Sequence, residues 1–155
     1  YFEDKMDVLR YIFQDTKRQY QDFCRESLVD SGGDFWKMVE ELFHQVLYRD
    51  YSGRLARLFQ NVLTYAEAEK FVKILRESGG DGKKMDEWMY EQVDKSQLRI
   101  ESLEEFRVLI EMCMLAILMA FAQRYKDKES IESVEWSFFR KMDFLKNGVL
   151  KHKES

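Results

Sequence analysis

The sequence predicts an all-α fold, and three observations carry that prediction. Proline is absent and glycine numbers only seven in 155 residues, few for a loop-rich chain of short strands. Apolar residues recur at three- and four-residue spacing along most of the chain, the period of one helix face. Capping residues stand where these patterns begin, and paired glycines stand where two of them end.

The elements follow in order. A long first helix is expected from about Asp4 to Leu28, with Val8, Leu9, Ile12, Phe13, Thr16, Tyr20 and Phe23 on one stripe. The Asp-Ser-Gly-Gly-Asp stretch at 30–34 stops it, because paired glycines favour a break. Asp34 can then cap a second helix from Phe35 to about Tyr48. A short helix is expected over Arg54 to Leu63. Thr64 and Glu67 form a capping box that opens the next, which runs to about Glu77 with Gly79 suited to its C-terminal position. A further helix is expected from Lys84 to about Lys95. Ser102 and Glu105 make a second capping box, opening a helix from Leu103 to about Tyr125. The last helix is expected from about Ser130 to Leu150, with Gly148 near a fraying end.

The last two helices differ from the rest. Between Met112 and Ala122 apolar residues go all the way round, and such a helix must be covered on every side. In the final helix Ile131, Val134, Phe138, Met142 and Leu145 make one stripe, with Trp136 and Phe139 off it. Two adjacent helices, each with a second apolar face, point to a second copy of the chain and a four-helix bundle across a twofold interface. Candidate interface residues are Met112, Leu115, Met119, Trp136, Phe139 and Met142. The alternative is that one monomer consumes both faces itself.

Composition narrows the function. Apolar residues at 45% and charged residues at 35% describe an ordinary globular mix rather than disorder. A net charge of −4 argues against this segment gripping a polyanion by itself, since that affinity rests on Lys and Arg at phosphates. Cys24 and Cys113 lie far apart within apolar helical patterns, so reduced, buried thiols in a cytoplasmic setting are expected. The longest apolar run, Met112–Ala122, is too short for a bilayer, which takes about twenty residues. Glu41-x-x-His44 has the spacing of a di-iron bundle motif, but the second such motif is missing. No catalytic triad, phosphate-cradling glycine loop or zinc spacing appears. The expectation is a non-enzyme without cofactor or metal.

The opening stretch YFEDKMDVLRYIF resembles the junction found in TetR/AcrR-family transcriptional regulators. There a recognition helix ends in an aromatic–Phe pair, a polar step follows, and a Lys and a Leu open the connecting helix. Here those residues are Tyr1, Phe2, Lys5 and Leu9, with Asp4 placed to cap. The stretch QLRIESLEEFRVLI resembles the polar step before that family's penultimate helix, and the order of helix lengths agrees along the whole chain. The resemblance implies a C-terminal domain over 1–155 with six or seven helices, the last two forming a dimeric four-helix bundle. Residues 1–3 then close the recognition-helix region, 4–28 form the connecting lever helix, and the DNA-binding helices precede Tyr1.

The function implied is that of a ligand-responsive regulator, normally a repressor. An effector shifts the lever and weakens operator binding. The partners implied are a second copy, a small effector, and operator DNA through the preceding domain alone; no membrane is involved. The family's pocket lies among the first helix, the second, those near Phe71 and Trp88, and the start of the penultimate helix. Inward stripes there nominate Phe13, Tyr20, Met38, Phe43, Phe71, Trp88, Phe106, Ile110 and Met114, a lining suited to a flat apolar or cationic compound. Core packing is the competing role for each. Glu111 is a lone carboxylate in an apolar run: either a counter-charge for a cationic ligand, or a partner of Arg107 or a rim residue. The main alternative function is a helical adaptor or scaffold, which explains the apolar faces and the acidity but not the opening motif.

Overall fold

A computed structural model describes residues 5–48 and 80–151, and every regular element among them is helical. In chain order these are α1 (Lys5–Asp30), α2 (Phe35–Tyr48), α3 (Gly80–Gln92), a 3-10 turn (Lys95–Gln97), α4 (Leu103–Tyr125) and α5 (Ile131–Asn147). The helices expected over 54–63 and 64–77, with the Thr64–Glu67 box, lie outside the described residues.

Local chemistry fixes the ends. The Gly33 N–H donates to the Leu28 carbonyl (2.9 Å) and the Gly32 N–H to the Val29 carbonyl (3.1 Å). This paired closure carries α1 two residues past Leu28 and turns the chain at Gly32, whose φ is +68°. Asp34 caps α2 by accepting from the Lys37 N–H at 3.1 Å. At α4, Ser102 Oγ accepts from the Glu105 N–H (3.1 Å), and the Glu105 carboxylate reaches back to the Glu101 N–H (2.8 Å).

Three boundaries differ from expectation. α3 starts at Gly80, not Lys84, because a glycine in the first turn costs far less than one in a helix interior. It also stops at Gln92; Asp94 then caps the separate turn at Lys95–Gln97. α5 stops at Asn147 rather than Leu150, since Gly148 takes φ +77° and ψ 178°, a conformation open to glycine alone.

The core is aromatic and lies between α2 and the α4–α5 pair. Phe43 of α2 stacks on Phe138 of α5 with ring centroids 3.8 Å apart. Phe35 meets Phe106 of α4 edge-on at 5.6 Å, and Tyr90 of α3 approaches the same ring at 5.5 Å. All four phenylalanines are fully buried. The Tyr125 hydroxyl donates to the Leu47 carbonyl (3.2 Å), tying the end of α4 to the end of α2. α1 packs on α2 and α3, contributing Cys24 and Leu28 to this core.

Candidate pairing face and ligand groove

α4 is apolar on two sides. One side, with Phe106, Cys113, Ile117, Ala120 and Phe121, is core. On the other, Val108, Met112, Leu115 and Met119 are 58, 46, 47 and 51% exposed. Their spacing of four, three and four keeps them within one narrow stripe, the pattern of a helix–helix seam. The stripe is about 16 Å long at 1.5 Å per residue. On α5, Trp136 is 71% exposed. Phe139 is at the margin of exposure and already packs edge-on against Phe43 and Phe138, at 5.5 and 5.4 Å. Met142 is a core residue, buried on the same stripe as Val134 and Phe138, so it has no surface to offer a second copy.

A groove runs along the outer side of α2. One cavity of about 470 Å³ is lined by Phe23 of α1 and by Glu41, His44, Gln45 and Tyr48. A second, of about 430 Å³, opens beside it and shares Glu41 and His44; Trp36, Lys37, Glu40 and Lys146 line its far end. The buried Ser27 hydroxyl donates to the Glu41 carboxylate, joining α1 to α2 and holding that carboxylate at the groove. The His44 ring lies 5.6 Å from Phe43 and from Tyr48, and 6.1 Å from Phe139. The Lys146 ammonium stands over the Trp36 ring at 5.4 Å. The groove thus offers aromatic faces, one anchored carboxylate, an imidazole and an ammonium.

The residues nominated from sequence scatter. Met38, Phe43 and Phe106 are core and line neither of these two cavities. Tyr20, Trp88 and Ile110 are half-buried at the core's edge. Glu111 and Met114 are exposed on α4. Arg107 reaches across to α3, 3.6 Å from Asp86 and 3.8 Å from Glu87. The side chain of Phe13, and Phe71 altogether, lie outside the described residues. The groove residues went unnominated, although Glu41, His44 and Tyr48 at three- and four-residue spacing marked one face of α2. Among the described residues no three His, Cys, Asp or Glu side chains are grouped to hold a metal ion, and no helix is long and apolar enough to cross a membrane.

Compared with known protein families, residues 34–149 match the tetracycline repressor-like C-terminal domain. The chain belongs to this family. The matched span takes in α2 to α5, so the helical pair with the exposed stripe falls within the TetR-like domain, while the opening motif and α1 precede the match. Neither the curated proteins nor the solved structures gave a significant match.

Proposed function

We propose that this TetR-like domain pairs with a second copy through α4 and α5 and serves as the effector-responsive part of a cytoplasmic transcriptional repressor. The observation that carries the reading is the seam of Val108, Met112, Leu115 and Met119 on a helix whose opposite side is already core. A second copy covering that seam removes it from water, with Trp136 and Phe139 at its border. Residues 1–3 lead from a DNA-binding segment, and α1 is the lever that transmits position to it.

The effector enters the α2 groove. Phe23 belongs to α1, whereas Glu41, His44 and Tyr48 belong to α2, so a ligand there touches both the lever and the body. It can shift the lever only by the difference in its affinity for the two lever positions. Tyr20, one turn from Phe23, lies on the same side of α1, and an apolar compound with a cationic group suits the aromatic faces and the Glu41 carboxylate.

The test is DNA binding by the chain together with its upstream-encoded residues, using sites selected from a random pool. Wild type is expected to bind with an intact seam, and Leu115→Glu with Met119→Glu to lose that binding. A seam variant that binds as well as wild type would contradict the proposal. Failure of the wild type to bind any DNA would favour an adaptor.

A further inference from the structure

Three exposed methionines lie on one two-turn stretch of α4. Met112, Met114 and Met119 are 46, 38 and 51% exposed, whereas Met38, Met85, Met89 and Met142 are buried. Met112 and Met119 are seven residues apart, so they alternate with Val108 and Leu115 along the seam. Met114 is on the other flank of the helix. A thioether reacts with a peroxide directly, whereas a thiol must first ionise. Cys24 and Cys113 are buried, and burial pushes both thiols up to about 12. The sulfur that a peroxide meets on this surface is therefore methionine.

We propose that Met112 and Met119 form a reversible oxidation site through which hydrogen peroxide controls pairing of the domain. The inference rests on the α4 pairing proposed above. In the step, the thioether sulfur attacks one peroxide oxygen, an S–O bond forms and the O–O bond breaks. The products are methionine sulfoxide and water: sulfur is oxidised by two electrons and the peroxide is reduced. The sulfoxide is polar and accepts hydrogen bonds, but Val108 and Leu115 on either side of Met112 supply no donor side chain, so burying it there is unfavourable. Both sulfurs are open in a single copy and covered in a pair. Oxidation thus traps the single copy, and methionine sulfoxide reductases reverse it.

The experiment measures the dimer Kd of the chain by sedimentation equilibrium before peroxide, after it, and after repair by the reductases. Peptide masses locate the added oxygen. The expected result is one oxygen at each of Met112 and Met119 and a Kd raised about tenfold or more, the size expected from one poorly solvated polar group. Repair restores the original Kd. Met112→Leu with Met119→Leu keeps its Kd through peroxide, while Met114→Leu gives no protection. An unchanged Kd with both residues oxidised overturns this proposal and leaves the pairing intact, as does a double variant that dissociates like wild type. A chain that is a monomer before any peroxide overturns the pairing and this proposal together.

Discussion

Gly33 sets the α1–α2 turn against the end of α3. Its carbonyl accepts from the Asp94 N–H at 2.8 Å, and a Cβ there would stand 2.4 Å from the Gln92 carbonyl oxygen. Its φ of +94° adds backbone strain for any L side chain. Gly32 also has positive φ but meets nothing within 4 Å. Gly33→Ala is therefore expected to lower the unfolding free energy by about 3 kcal/mol or more, and Gly32→Ala by about 1. Urea denaturation of the two variants checks this, and equal losses would contradict the close approach. Both glycines were legible in the sequence as a break. That one of them is pinned by Asp94 was not, because the contact joins residues far apart in the chain. Phe43 and Phe106 show the same limit: their spacing said inward, but not whether inward meant a ligand or another ring.

At the scale of the element, caps explain which boundaries could be read. α2 and α4 begin and end where the sequence places them, because Asp34 and Ser102 act on amides three residues away. Ser102→Ala should cost about 1 kcal/mol, read as a lower urea midpoint with an unchanged slope. α3 differs from expectation at both ends: Gly80 and Gly82 look like loop residues until the helix they open is seen, and Asp94 caps a separate turn after Gln92. Asp94 makes the turn after α3 sensitive to acid. Its carboxylate accepts from the Ser96 hydroxyl (2.5 Å) and amide (3.0 Å), which holds its pKa below the ordinary value. A lowered folded-state pKa favours folding above the unfolded-state value, and that contribution is lost as pH falls through the carboxylate range. Asp94→Asn should therefore make stability less steep between neutral and acid pH. A denaturation series with an unchanged slope would remove Asp94 from that role.

For the whole molecule, the apolar surface is distributed unequally. α2 has one buried stripe and one polar, aromatic face; α4 has two apolar sides, only one of which is core among the described residues. The all-round apolar run at Met112–Ala122 makes that second side legible in the sequence. Met142 shares one stripe with Val134 and Phe138, and all three are core, so its place on the pairing face ran against its own spacing. The groove is not legible in the sequence: the polar and aromatic residues lining it look like a solvated face until α1 and α5 flank it. The central claim is that the uncovered side of α4 belongs to a second copy of the chain. The most direct test is the mass in solution by light scattering over a hundredfold dilution, for wild type and for Leu115→Glu. The account predicts twice the chain mass for wild type across that range, and the single-chain mass for the variant with its helical content retained. A wild-type chain of single mass at every concentration would contradict it.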